Sequence, residues 1–65
     1  MNKTFYYTIF VADLGIYSEE FNELGDCINA CKADCAMYNI EFNDNNITIF
    51  STTDSGKTSN VIKIT

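Results

Sequence analysis

Three cysteines at a constant spacing of four, Cys27, Cys31 and Cys35 in "DCINACKADC", carry the most evident chemistry in this chain. Thiolates bind zinc and iron, and paired thiols exchange electrons, so a metal centre and a redox device come first. Geometry argues against both. On a helix, four residues turn a side chain by about 40° and climb about 6 Å, so the thiols form a stripe about 12 Å long. A tetrahedral zinc draws four ligands to one point at about 2.0–2.3 Å. Cys27 and Cys31 can share an ion, but Cys35 lies a turn too far, and the chain has no His and no fourth Cys. An iron–sulfur cluster fails on the same ligand count. A disulfide between helix neighbours four apart is strained. The stripe is therefore expected to be the inner face of an amphipathic helix, where free Cys acts as a small hydrophobe. Cys27, at the edge of the stripe, is expected to be the most accessible of the three. No metal and no cofactor is expected.

Two other stretches suggest chemistry. Gly56-Lys57-Thr58 in "DSGKTSN" matches the tail of a phosphate-binding loop. Such a loop needs an earlier Gly, at a position held here by Ser51, and a following helix whose N-terminus aims at the phosphates. The remaining residues read as a strand, so a hairpin turn is expected instead. Asp13, Glu19, Glu20, Glu23 and Asp26 place five carboxylates within fourteen residues. Carboxylates act as acid and base when burial separates their pKa values, but a chain of this size has little room for an enclosed pocket. The cluster reads as a solvated face that complements the helix dipole. As a partner-binding surface it comprises Glu19, Glu20, Glu23 and Asp26, extended along the helix by Asp34 and an exposed Met37, with Ala30 as a further contact. Catalytic triads and phosphoryl clamps have no members in a chain without His or Arg, so an enzyme is not expected.

The elements that must carry these residues follow from periodicity. "TFYYTIFVA" (4–12) is β-branched or aromatic to its last residue, with Phe5, Tyr7, Ile9 and Val11 on one face and Tyr6, Thr8, Phe10 and Ala12 on the other. Both faces are apolar, which predicts a central strand. "ADLG" predicts a tight connection with Gly15 at positive φ, returning 16–21 as a second strand. A helix starting at Ser18 is the competing parse; a start at Asn22, running to about Met37, keeps Gly25 near the helix end, where it costs less. At about 100° per residue, Leu24, Ile28, Cys31 and Cys35 share a stripe, with Cys27 and Tyr38 at its edge. Glu23, Asp26, Asn29, Ala30, Ala33, Asp34 and Met37 then face outward. Beyond the helix the period changes to two. "YNIEFN" (38–43), "ITIFSTT" (47–53) and "SNVIKIT" (59–65) read as strands, separated by turns at 43–46 and 54–57. The expectation is one small α+β domain spanning residues 1–65. Its mostly antiparallel sheet has four to five strands with one amphipathic helix on one face, ordered ββαβββ, or βαβββ under the early helix start.

Composition bounds the function. Sixty-five residues with 46% apolar content make a core, near the lower limit for folding without metals or disulfides. Four Lys against nine Asp and Glu give a net charge of −5. So few cations cannot neutralise many phosphates, which argues against direct nucleic-acid binding, and anionic membranes repel such a surface. No apolar run approaches the roughly 20 residues that span a bilayer, and the first residues read as a strand rather than a leader. Three cysteines in one short segment are not a secreted disulfide framework, so a cytoplasmic protein is expected and the sequons at Asn2 and Asn46 carry no weight. Abundant Asn, Ile, Phe and Tyr without Arg or Pro suggest AT-rich coding, hence a phage source and a host-cytoplasm location. The expected function is a small acidic protein-binding module. Its expected partner is a protein with a basic surface, which it blocks as an inhibitor of a host enzyme or defence complex, its acids standing in for nucleic-acid phosphates. The alternative is a structural homo-oligomer, such as a homodimer, associating through an uncovered sheet face or edge, with Tyr6, Phe10 and Phe50, or their opposite set, on that face.

Overall fold

The computed structural model describes residues 2–64. In chain order the elements are β1 (Thr4–Val11), β2 (Leu14–Tyr17), α1 (Leu24–Met37), β3 (Ile47–Thr52) and β4 (Asn60–Ile62). The strands form one four-stranded antiparallel sheet in the order β2-β1-β3-β4, and α1 packs over β1 on one face. This is an α+β arrangement with β1 inside the sheet. Every residue of β1 is β-branched or aromatic, which suits a strand packed on both sides. Its register against β3 runs from Thr4↔Thr52 to Ile9↔Ile47. Phe5, Tyr7 and Ile9 therefore share the helix side with Ser51, Ile49 and Ile47. Tyr6 and Thr8 share the opposite side with Phe50 and Thr48.

The β1–β2 connection is tighter than the sequence predicts. Val11 pairs with Leu14, so the turn is only Ala12-Asp13, and positive φ falls on Ala12 at 52° rather than on Gly15. Two-residue hairpin loops need a positive φ to match the strand twist. Gly15 instead sits in β2 opposite Phe10, two of whose ring carbons lie 3.6 Å from where a Cβ would stand. The ring covers bare glycine backbone, a known compensation for glycine in a strand.

Past Tyr17 the pairing slips. Thr8 faces Tyr17, yet Phe5 faces Phe21, so three steps along β1 match four along its partner. The extra residue is a bulge over Ser18–Glu20. The Ser18 hydroxyl accepts the Tyr7 N–H at 2.8 Å, and the Tyr7 carbonyl accepts the Ser18 N–H at 3.0 Å. Backbone bonds of 2.8 and 2.7 Å between Phe5 and Phe21 then close the extension. Because these residues are committed to β1, α1 cannot begin at Ser18. It begins at Leu24, with Glu23 at the N-cap position and no side-chain cap bond.

The strand predicted over 38–43 does not form. Asn39 adopts φ 58, the Ile40 N–H bonds to the Cys35 carbonyl at 2.8 Å, and the Asn39 N–H bonds to the Ala36 carbonyl at 3.3 Å. These two bonds and the left-handed Asn make a Schellman stop. Asn43 then takes over the local backbone: its side-chain oxygen accepts the N–H groups of Asn45 and Asn46 at 3.0 Å each, while Asn46 Nδ2 donates to the Glu41 carbonyl at 2.9 Å. Short polar side chains that satisfy nearby backbone compete with a strand ladder. Ile40 and Phe42 still reach the core from irregular backbone, and Lys32 lies 5.4 Å from the centre of the Phe42 ring. The last strand is also shorter than predicted, although Ile62 and Ile64 both pack against the core; Thr65 lies outside the described residues.

Tyr7, Ile9, Cys27, Cys31, Cys35, Ile47 and Ile49 form the buried core. The sheet supplies the bulk and the helix supplies small thiols, so large side chains on one layer meet small ones on the other. Fully burying Ile9 or Ile49 contributes roughly 2–3 kcal/mol each.

Candidate functional site

Cys27 and Cys31 are 0% exposed and Cys35 is 2%, so the edge position of Cys27 gives it no access to solvent. The reason is that the buried arc of α1 is centred nearer Cys31 than the wheel of large apolar residues suggests. All three thiols are free. Burial raises the pKa of each, that of Cys31 to about 12, which keeps them protonated and unreactive near neutral pH. Among the described residues, no group of three or more His, Cys, Asp and Glu is placed to hold a metal.

The "DSGKT" loop is occupied by its own bonds. Thr52 Oγ1 accepts the N–H groups of Asp54 at 3.3 Å and Gly56 at 3.0 Å and donates to the Thr58 carbonyl at 2.7 Å. Asp54 Oδ1 accepts the Thr58 N–H at 2.8 Å, and the Thr58 hydroxyl donates to Asp54 Oδ2. These donors hold the Asp54 carboxyl below its ordinary value. A phosphate cradle needs free N–H groups and a following helix. Here Gly56 N–H is engaged, and the chain continues into β4.

A site does form where α1 meets the bulge. Tyr7, Ser18, Glu19, Phe21, Ala30, Ala33 and Asp34 line an open groove of about 550 Å3. The bulge positions one wall, because the extra residue displaces Ser18–Glu20 from regular pairing and brings Ser18 and Glu19 into the lining. Ala30 and Ala33 keep the helical wall low. Tyr7 and Phe21 stack, with centroids 6.3 Å apart and planes 16° from parallel. The Tyr7 hydroxyl donates to Asp34 Oδ2 and lies 3.4 Å from the Ala30 carbonyl. Burial first, then the Asp34 bond and charge, push the Tyr7 pKa well above its ordinary value of 10.0. Ser18 Oγ accepts from Tyr7 N–H and donates to the Glu19 carbonyl at 2.8 Å, so its hydroxyl proton is spent on structure. The groove thus carries the carboxylates of Glu19 and Asp34 and the half-buried Phe21 ring in its lining, with Tyr7 buried beneath at 4% exposed.

The six residues singled out from sequence do not form one patch. Glu19 and Asp34 meet at this groove. Glu20 is exposed and accepts the Thr4 hydroxyl; Glu23 and Asp26 are exposed at the N-terminal end of α1. Met37, 72% exposed, lies at the other end of the helix, about 20 Å away by helical rise. Asp34, expected to face outward, is half-buried against Tyr7, and Ala30 is also half-buried. Asp34 follows Cys31 by three residues, which places it about 60° away on the wheel, at the rim of the buried arc. That offset was a usable signal. Nothing in the sequence marks the bulge that brings Ser18, Glu19 and Phe21 to the same place.

Fold and groove together define a small α+β domain with an open, carboxylate-rimmed groove beside its helix. Comparison with protein-family models, curated proteins and solved structures returns no match for this chain. No helix among the described residues is long and apolar enough to cross a membrane.

Proposed function

We propose that the protein is a non-catalytic binding module that seats a basic segment of a partner protein in the groove between α1 and Ser18–Phe21. The observation that supports this reading is that Glu19 and Asp34 line one groove together with Tyr7 and Phe21. Two carboxylates lining one open groove favour a lysine or arginine side chain through charge and charge-assisted hydrogen bonds. An open trough does not surround a small molecule, whereas a side chain projecting from a macromolecule needs only one accessible side. The net charge of −5 adds long-range attraction toward a basic surface. Such a module acts by covering what it binds, and an inhibitor encoded by a phage against a host enzyme or defence complex is the role this mode serves.

The test uses a short Arg/Gly-repeat peptide as probe, followed by amide chemical shifts, with a Glu/Gly repeat as control. Binding is expected to shift Ser18, Phe21 and Ala33, to weaken with added salt, and to fall at least tenfold in E19K. Glu19 is exposed, so that variant keeps the fold. Shifts confined to Glu23 and Asp26, or affinity indifferent to E19K, would overturn the groove as the site.

A further inference from the structure

The groove lining is one-sided in its hydrogen bonding. Its two side-chain hydroxyls are spent inside the protein: Tyr7 donates to Asp34 Oδ2, and Ser18 donates to the Glu19 carbonyl at 2.8 Å. The other polar side chains of the lining are carboxylates, which only accept. Glu19 is exposed, and no bond within the described residues engages its carboxylate. Asp34 is half-buried with one oxygen committed to Tyr7, which holds the carboxylate in place and leaves its second oxygen for a ligand. The helix adds to the same bias. Asp34 stands in the last turn of α1, at the negative end of the helix dipole, and no basic residue occupies that turn. The nearest helical cation, Lys32, is two residues and about 200° away around the helix and lies over the Phe42 ring. No lysine enters the groove lining.

We infer that the groove selects arginine over lysine, which rests on the basic-segment reading and names the side chain it takes. A ligand that satisfies this lining needs several donors, no acceptor and a positive charge. Guanidinium and ammonium both qualify, and the placement of the acceptors separates them. Glu19 belongs to the Ser18–Glu20 bulge and Asp34 to α1, so the two carboxylates stand on different walls. A guanidinium carries its donors in a planar fork, and can pair two N–H groups with Glu19 while turning a third toward Asp34. An ammonium is a compact point charge that holds its water strongly, and Phe21, Ala30 and Ala33 offer nothing to replace that water. Those same apolar side chains suit the weakly hydrated faces of a guanidinium. Tyr7 is a positioning residue here, because it acts through Asp34.

Amide-shift titrations of the full chain with an Arg/Gly repeat and a Lys/Gly repeat, matched in length, charge and salt, test this. The Arg/Gly peptide is expected to bind about tenfold tighter, shifting Ser18, Phe21 and Ala33. E19Q, at an exposed position, removes the bidentate partner. D34N lets the Asn carbonyl keep the Tyr7 bond while an amide donor replaces the second acceptor. In each variant the preference for arginine is expected to fall below about threefold, a ratio that loss of charge alone would leave unchanged. Equal affinities of the two peptides in the wild type overturn the arginine assignment and leave the groove standing as a site for basic segments. A preference that survives both substitutions overturns it in the same way. Absence of shifts at Ser18, Phe21 and Ala33 with either peptide removes site and assignment together.

Discussion

Ile9 and Phe10 are consecutive residues of β1, yet one is 0% exposed and the other 62%. The same contrast sets buried Tyr7, Ile47 and Ile49 against exposed Tyr17 and Val61, whereas Thr52, on the open side at the end of β3, is buried. On the side of α1, isoleucines and a tyrosine pack with three thiols, none of them more than 4% exposed. On the other side, larger aromatic rings stand in solvent beside threonines. Residue hydrophobicity does not separate the two faces. What separates them is the single helix, which covers one face and leaves the other open.

The largest test of that contrast is truncation on either face. Ile9→Ala is expected to cost about 2–5 kcal/mol by chemical denaturation, because it opens a cavity in a closed core. Phe10→Ala is expected to cost the monomer about 1 kcal/mol or less, from its contacts with Tyr17 and the backbone of Gly15. Equal losses at the two positions would mean that the open face is already covered.

Titration gives the next effect, again confined to the covered face. Tyr7, Cys27, Cys31 and Cys35 all hold their protons more tightly when folded, so unfolding releases protons at high pH. Their contribution to stability is complete below pH 9.0, the ordinary thiol value, and is lost as pH rises toward the folded value of about 12 for Cys31. Denaturation midpoints measured from pH 7 to 11 are expected to fall above pH 9, with no matching decline between pH 7 and 8. A flat profile across that range would show that the thiols are solvated.

The smallest effect lies where the two faces join. Ala12 holds φ 52 in the β1–β2 turn, a conformation that costs a residue with a Cβ about 1–2 kcal/mol. Ala12→Gly is expected to stabilise the fold by about 0.5 kcal/mol, after the greater freedom of glycine in the unfolded chain is subtracted. Thermal midpoints of the two proteins give the sign directly.

Much of this architecture was legible because it rests on period. β1, the Cys27–Cys35 stripe, β3 and the turn at 54–57 are all set by residues whose side chains decide the local geometry. The misreadings share a cause. Tyr38, Ile40 and Phe42 alternate as a strand does, but Asn39 and Asn43 bind nearby backbone first, a competition that alternation does not register. Gly15 looked like the residue for positive φ, yet tertiary cover from Phe10 placed it in a strand. Of the groove, Glu19 and Asp34 were visible as acids, whereas their meeting depends on a slip of one residue between β1 and its neighbour. Register of that kind is a property of two segments together.

The buried thiols have one more consequence. No reagent can reach Cys31 while α1 lies on the sheet, so its labelling rate in the native protein measures how often the helix lifts away, rather than the reactivity of sulfur. With three such groups at successive turns, the order in which they are labelled would distinguish fraying from either end of α1 from a concerted departure. The chain therefore carries a built-in recorder of its own opening.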